Sequence, residues 1–238
     1  MLTLTPLEVE ALGLSLRVAV WSVGCSLPFG LAVGWLLARR DFPGKILLDG
    51  LVHLPLVLPP VAVGYVLLVL LGRNGWLGMW LRDWFGITVA FTWKGAAVAA
   101  AVMAFPLMVR AIRLSMEAVD RRLEAAAGTL GAGPVRVFCT VTLPLALPGL
   151  LTGAVLAFAR SLGEFGATIT FVSNIAGETR TLPLALYTLI QRPGGEAGAI
   201  RLAVVSIVIA LAALVASELI ARRVHRGLGR ADGRQRHA

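Results

Sequence analysis

The chain has 238 residues, of which 58% are hydrophobic and only 15% are charged. Soluble domains are about one quarter charged, so this composition excludes a disordered chain and a disulfide-stabilised scaffold and favours an integral membrane protein. The formal net charge is +9, from 22 basic and 13 acidic residues. Because the basic residues lie at the ends of apolar segments and not on one polar face, they indicate membrane topology and no nucleic-acid partner.

Five segments are apolar enough to cross a lipid bilayer, for which a helix needs about 20 residues. We predict spans at about 12–38, 47–72, 84–109, 137–163 and 200–222. This pattern predicts an all-α integral membrane protein with a single transmembrane domain over residues 1–238. Segment 165–201 mixes prolines and charges with apolar residues, so we expect an external or re-entrant segment with short helices.

The distribution of basic residues predicts the orientation, because cytoplasmic loops carry an excess of lysine and arginine. Basic clusters follow the first, third and fifth predicted spans. Their members are Arg39, Arg40, Lys45, Arg110, Arg113, Arg121, Arg122, Arg136, Arg222, Arg223, Arg226, Arg230, Arg234 and Arg236. With an odd number of spans, the N-terminus lies outside and the C-terminus lies in the cytoplasm.

Two pairs of glycines at four-residue spacing lie inside predicted spans. They are Gly30 with Gly34 and Gly149 with Gly153. Such pairs let helix backbones approach closely in a membrane. They are also frequent in spans generally, so helix contact and simple coincidence are both open interpretations.

Pro59 and Pro60 lie inside the second predicted span, and each lacks a backbone N–H, so we expect a kink there. The kink is either a gate hinge or a simple helix irregularity. Trp76, Trp80 and Trp84 recur at four-residue spacing, which predicts a short helix in the membrane interface. That helix serves either to anchor the chain in lipid or to dock an external partner.

We find no catalytic constellation in the sequence. The three histidines belong to no H-E-x-x-H pattern and have no carboxylate at metal-ligand spacing. The only lysines, Lys45 and Lys94, belong to no phosphate-binding G-x-x-x-x-G-K-[ST] loop. We therefore predict no catalytic residue, metal or cofactor on this chain, which leaves transport or conduction as its function.

The predicted cytoplasmic loop 110–136 leads into a recognisable pattern. The segment Glu124-Ala-Ala-Ala-Gly-Thr-Leu-Gly131, continued by Val141-Thr-Leu-Pro144, resembles the EAA loop of permease subunits of bacterial ABC importers. The glutamate position of that pattern falls on Ala125, one place after Glu124.

The resemblance implies a coupling helix that inserts into a groove of a separate ATPase subunit. The residues that it implies in this coupling loop are Glu117, Arg121, Arg122, Glu124, Ala126, Ala127, Gly131, Leu143 and Pro144. Small side chains at such a contact allow a close approach between the two subunits. The alternative is an alanine-rich loop helix with no special function.

A second resemblance begins near the end of the fourth predicted span. The segments Arg160-Ser-Leu-Gly-Glu-Phe-Gly-Ala-Thr-Ile-Thr-Phe-Val-Ser-Asn174 and Gly177-Glu-Thr-Arg-Thr-Leu-Pro183 are similar to molybdate permease subunits. The first of these segments is also similar to sulfate and thiosulfate permeases. The later segment Arg192-Pro-Gly-Gly-Glu196 favours the molybdate family.

Several polar residues in this part of the chain are candidates for the translocation path. Arg160 and Glu164 are four residues apart, and charges inside a membrane usually face a partner or a water-filled cavity. They form either an ion pair that stabilises the bundle or a pair beside the path, and an acidic side chain is not expected to bind an anion. The hydroxyl and amide donors of Thr168, Thr170, Ser173 and Asn174 are candidates for weak contacts with a passing oxyanion.

Together the resemblances imply the permease bundle of a type I ABC importer in the bacterial inner membrane. They imply a homodimer that forms the molybdate pathway at its interface and two cytoplasmic ATPase subunits that hydrolyse ATP. They also imply an external oxyanion-binding protein that delivers the substrate. A sulfate, thiosulfate or tungstate importer is the near alternative, and a membrane-embedded enzyme or passive channel is the distant one.

Overall fold

The computed structural model describes residues 4–235, and for residues 217–218 and 220–235 it describes the helical backbone alone. The regular structure of these described residues is entirely helical, which confirms the predicted all-α class. The helices are α1 (Pro6–Arg39), α2 (Lys45–Val57), α3 (Pro60–Leu71), α4 (Trp76–Phe85), α5 (Trp93–Glu117), α6 (Arg121–Thr129), α7 (Pro134–Val137), α8 (Leu143–Leu162), α9 (Gly166–Val172), α10 (Leu182–Ile190) and α11 (Glu196–Gln235). A single π-helical turn, Phe138–Thr142, joins α7 to α8.

Four helical segments in the described chain are long and apolar enough to cross a membrane, and a bent pair makes a possible fifth. The four are α1, α5, the continuous segment Pro134–Leu162, and the first part of α11. The bent pair is α2 with α3, and the chain bends by 114° between these two helices. Pro59 and Pro60 lie at this break, so the expected kink is a complete interruption of the helix.

Two helix starts differ from the boundaries of the predicted spans. The first helix begins at Pro6, well before residue 12, because Thr5 and Glu8 form a capping box at its N-terminus. The third predicted span begins at residue 84, but residues 86–92 lie outside any helix. Gly86 adopts a left-handed conformation that ends α4, and the Thr92 side chain caps the start of α5.

Helix α5 lies at the centre of the bundle and packs closely against both α1 and α8. A Cβ atom built on Gly34 would lie 2.8 Å from Cγ2 of Ile112, and one built on Gly149 would lie 2.0 Å from Cβ of Ser115. Gly30 and Gly153 face α5 in the same way. Both glycine pairs therefore mark true helix contacts, because only the absence of a side chain permits these distances.

The two ends of the bundle are held by different polar contacts. At one end Arg39 pairs with Glu124 (Nη2 to Oε1, 3.0 Å), which joins the end of α1 to α6. At the other end Arg201 pairs with Glu8 (Nη2 to Oε1, 2.8 Å), which joins the start of α11 to the start of α1. We call the first the basic end, because the basic residues after the first and third predicted spans lie there. The side chains of the third basic cluster, Arg222 to Arg236, lie outside the described residues.

The segment between α8 and α11 contains two short helices, as predicted. Helix α9 packs tightly on α3, since a Cβ atom on Gly64 would lie 2.5 Å from the carbonyl oxygen of Ala167. The break between α8 and α9 also lies against the break between α2 and α3, because a Cβ atom on Gly166 would lie 2.7 Å from Cβ of Pro60. The predicted tryptophan helix is present as α4.

We predict that Gly149→Ala destabilises the bundle, because the added methyl group overlaps Ser115 on α5. Overpacking of this kind costs about 1–3 kcal/mol, which lowers the midpoint of thermal unfolding in detergent by at least about 2 °C. Gly50→Ala is the matched control, since nothing lies within 4 Å of its built Cβ. Equal midpoints for the two variants would show that the α5–α8 contact is loose.

Candidate functional site

The candidate coupling loop is divided into separate helices. Helix α5 continues to Glu117, and α6 begins four residues later, where Oδ1 of Asp120 accepts a hydrogen bond from the amide of Arg122 at 2.9 Å. Glu117 therefore belongs to α5 and pairs there with Arg113 (Nε to Oε1, 2.8 Å). The loop then contains two short helices, α6 and α7.

Gly131 ends α6 in a way that explains the glycine of the motif. Its φ angle is +83°, a left-handed conformation that favours glycine. Its amide donates to the carbonyl of Gly128 at 3.0 Å, and the amide of Ala132 donates to the carbonyl of Ala127 at 3.1 Å. These two bonds form a Schellman motif, which reverses the chain directly after the helix.

Glu124 ties α6 to two other parts of the bundle. Its Oε1 atom lies 3.0 Å from Nη2 of Arg39 and accepts a 2.6 Å hydrogen bond from the hydroxyl of Thr142. The same Arg39 nitrogen donates to the carbonyl of Val119 at 3.0 Å. Because the Arg39 side chain is only 8% exposed, this carboxylate compensates a buried charge and fixes α6 against α1 and the π-helical turn.

The outer face of this loop is apolar and basic. Leu130 is 88% exposed and Val135 is 75% exposed, and Leu123 is half exposed beside them. None of these three belongs to the predicted coupling set, whose exposed members are Glu117, Arg121, Arg122, Ala126, Gly131 and Pro144. We call this face, residues 121–135, the coupling surface. Exposed apolar side chains in such a cluster are typical of a protein contact.

The π-helical turn Phe138–Thr142 connects the coupling surface to α8. Phe138 packs edge-on against Trp35 of α1, with ring centroids 6.1 Å apart. Leu143 and Pro144 follow directly after the π-helical turn, at the start of α8. Pro144 has no backbone N–H to donate to the preceding helical turn, which is consistent with the wider π-helical spacing just before it. The Leu-Pro pair of the motif therefore lies where the π-helical turn passes into regular α-helix.

Arg160 and Glu164 form a close ion pair at the junction of α8 and α9. Arg160 Nη1 lies 2.7 Å from Glu164 Oε2, and the Glu164 side chain is 2% exposed. Glu164 Oε1 also accepts a hydrogen bond from the amide of Ala167 at 2.9 Å, at the first turn of α9. Since α8 ends at Leu162, the pair spans the break between α8 and α9 and is not part of one continuous helical face.

The polar residues proposed for an oxyanion path are placed in different surroundings. Thr168 is buried, and the hydroxyl of Thr170 donates to the carbonyl of Gly166 at 2.9 Å. Asn174 donates to the hydroxyl of Thr188 at 2.8 Å, so its amide is engaged within the segment. Ser173 is exposed and has a φ angle of +64°. Their role in a path stays a prediction.

The structure also forms a groove that the sequence analysis did not predict. It lies between α5 and α8 and opens at the basic end, with a volume of about 750 Å³. Arg110 lies in this groove, although its position in the sequence indicated only membrane topology. A signal was present in the sequence, because Arg110 is the first charge on α5 after Lys94 at its N-terminus.

Residues 27–226 match the family model described as the binding-protein-dependent transport system inner membrane component. The chain belongs to this family. It is 64% identical over 227 residues to the molybdenum transport system permease protein ModB of Escherichia coli strain K12, which covers 95% of this chain and 99% of that relative. The ModB protein of Haemophilus influenzae is 58% identical over 95% of this chain and 99% of its own length.

A sulfate relative and a solved structure extend the comparison. The sulfate transport system permease protein CysT of Escherichia coli strain K12 is 44% identical over 68% of this chain and 58% of its own length. The inward-facing structure of the MetNI methionine ABC transporter matches with a TM-score of 0.68 at 20% identity, over 92% of this chain and 96% of that one. The last likeness shows the fold, that of type I ABC importer permeases. The chain is a multi-pass inner-membrane permease, as predicted.

We predict that Glu124→Ala loosens the coupling surface, because it leaves the buried Arg39 charge without its partner. Breaking such a pair costs about 3 kcal/mol or more. The expected result is faster amide hydrogen exchange in residues 121–142, measured by mass spectrometry on the purified protein. Glu117→Ala is the control, since the exposed Glu117 contacts Arg113 on its own helix. Equal exchange in the two variants would mean that Glu124 does not hold the loop.

Proposed function

We propose that this chain is the membrane subunit of an ATP-driven molybdate importer. The observation that carries the proposal is the 64% identity to a molybdenum permease over almost the whole of both chains. The chain itself is non-catalytic in this proposal and binds no cofactor. ATP is hydrolysed by separate ATPase subunits, and an external binding protein delivers the oxyanion.

The proposed orientation places the basic end in the cytoplasm and the N-terminus outside. Two basic clusters lie together at this end, which also contains the coupling surface. Arg113 there pairs with Asp49 (Nη1 to Oδ1, 3.1 Å), which joins α5 to α2. Lys45 begins α2, and its hydrogen bond and positive charge hold the pKa of the exposed Asp41 carboxyl in the preceding loop below its usual range. An excess of lysine and arginine on one side supports a cytoplasmic location.

The proposed pathway lies between two copies of the chain. Helix α2 supports a dimer, because Val52 is its only buried residue and apolar side chains such as Val57 (82% exposed) cover its outer face. The breaks beside Pro60 and Gly166 meet near the Arg160–Glu164 pair. Interrupted helices in transporters typically lie beside the substrate path, so we place this pair beside the path as a positioning element and not as an oxyanion ligand.

The coupling surface is proposed to dock into a groove of the ATPase subunit. Glu124 and Arg39 fix α6 to α1, while the π-helical turn continues directly into α8. A movement of the docked α6 is then transmitted to both helices, since packed elements move as rigid bodies. In this proposal, the two ATPase subunits close around bound ATP and draw the two coupling surfaces together. The pathway then changes from inward opening to outward opening.

Molybdate import is tested by cellular molybdenum content. We expect deletion of the gene to abolish molybdenum accumulation at trace external molybdate, measured by mass spectrometry. Uptake by the parent strain should persist in a large excess of sulfate. If deletion leaves molybdenum unchanged and lowers sulfate uptake, the sulfate alternative is correct. If the site accepts both metal oxyanions, an excess of tungstate lowers molybdenum accumulation in the same assay.

The docking role of the coupling surface is tested with Leu130→Ser. Because Leu130 is 88% exposed, its loss should leave the bundle intact and weaken ATPase binding about tenfold, the effect of removing an interface anchor. The measurement is copurification of the tagged permease with its ATPase in mild detergent. Ile190→Ser, at an exposed position at the opposite end, is the control. Equal ATPase recovery with both variants would contradict the docking role.

A further inference from the structure

The groove between α5 and α8 has apolar walls and a charged floor. Its lining residues come from α5, from the loop and first turn of α6 that follow it, and from α8, and the groove opens at the basic end. Its walls include Leu114 and Leu156, and its floor carries the exposed Arg110. The volume is about 750 Å³, far larger than one side chain needs.

Arg110 borders the groove and also a second, smaller cavity that it shares with Asp49, Arg113 and Glu117. It makes no ion pair with any residue whose side chain the structure describes. Its neighbour Arg113, one turn further along α5, differs because it contacts both Asp49 and Glu117. A guanidinium ion stays protonated at all physiological pH values, so Arg110 brings a permanent positive charge to the groove.

The other polar groups of the groove have fewer donors to offer an anion. The hydroxyl of Ser115 donates to the carbonyl of Ala146 at 3.2 Å, and that of Thr152 donates to the carbonyl of Pro148 at 2.9 Å. Asp120 lies at the mouth, where its carboxylate accepts the amide hydrogen of Arg122. Arg110 is therefore the groove residue whose charge suits a divalent anion.

We propose that Arg110 is the residue that attracts the oxyanion into the cytoplasmic half of the pathway. This inference rests on the proposed function, because the groove faces the pathway only if two copies pair around it. Each pathway then contains two Arg110 guanidinium groups on opposite walls. A positive cavity with low-dielectric walls raises the local concentration of anions. One cation from each copy, without a surrounding set of donors, attracts the dianion and still releases it.

The charge at this position can be changed in the folded protein. The chain has two cysteines, so Cys25→Ser with Cys139→Ser gives a cysteine-free parent. Arg110→Cys in that parent is purified in complex with its ATPase and reconstituted in liposomes with the binding protein. The complex is then treated with thiosulfonate reagents of similar size that carry a trimethylammonium or a sulfonate group. ATP-driven uptake is measured for molybdate and, in parallel, for sulfate.

We expect Arg110→Cys to lower uptake about fivefold, the effect of removing one charge near a dianion in a partly aqueous cavity. The cationic adduct should restore uptake to within about twofold of the parent, and the anionic adduct should lower it further. Arg73→Cys is the matched control, since Arg73 is exposed outside the groove, and either adduct there should leave uptake unchanged. The cysteine-free parent should respond to neither reagent.

Three results would overturn the role of Arg110. These are unchanged uptake in Arg110→Cys, equal effects of the two adducts, and failure of both reagents to label Cys at position 110. The last two are expected if Arg110 has a structural role or faces lipid headgroups. The proposed function is judged separately by the parent complex: uptake of sulfate alone corrects the substrate and still tests Arg110, whereas uptake of neither anion refutes both proposals.

Discussion

The close approach of α1 and α8 to α5 is the constraint on which the rest of the bundle depends. Lipid tails are as apolar as leucine, so helices in a membrane gain little from burying apolar surface and depend on close packing instead. The glycines at 30, 34, 149 and 153 provide that packing along both sides of α5. Helix α2 also packs on α5 through Val52 and Val109, and the groove that contains Arg110 lies between α5 and α8 at the basic end.

The two helix breaks are positioned by the same packing. Helix α9 lies against α3 with almost no space at Gly64, so the chain around Gly166 is forced against Pro60. Polar backbone atoms freed by a break must be satisfied within the protein, since the bilayer core contains no water to bind them. Glu164 does this for Ala167 while it neutralises Arg160. The ion pair and the helix break therefore depend on the same residue, Glu164.

The coupling surface and the groove share the basic end, and the contacts there explain how one could influence the other. Arg39 and Thr142 hold Glu124 from two directions, so α6 is fixed to α1 and to the turn before α8. Helix α8 is at the same time a wall of the groove. A displacement of α6 therefore changes the width of the groove that we assign to the oxyanion, without any hinge inside α8 itself.

Much of this protein was determined by local sequence. Apolar length and proline chemistry predicted the helical class and a kink at Pro59 and Pro60, and motif spacing predicted the loop that contains Gly131. The sequence did not reveal that Glu124 would bind Arg39, 85 positions earlier in the chain, because that pair exists only after α1 and α6 pack together. In the same way, the charge of Arg110 indicated only topology until the helices enclosed a groove around it. Hydropathy and turn chemistry act between neighbours in sequence, whereas charge compensation and cavities depend on which helices meet, and only the tertiary structure decides that.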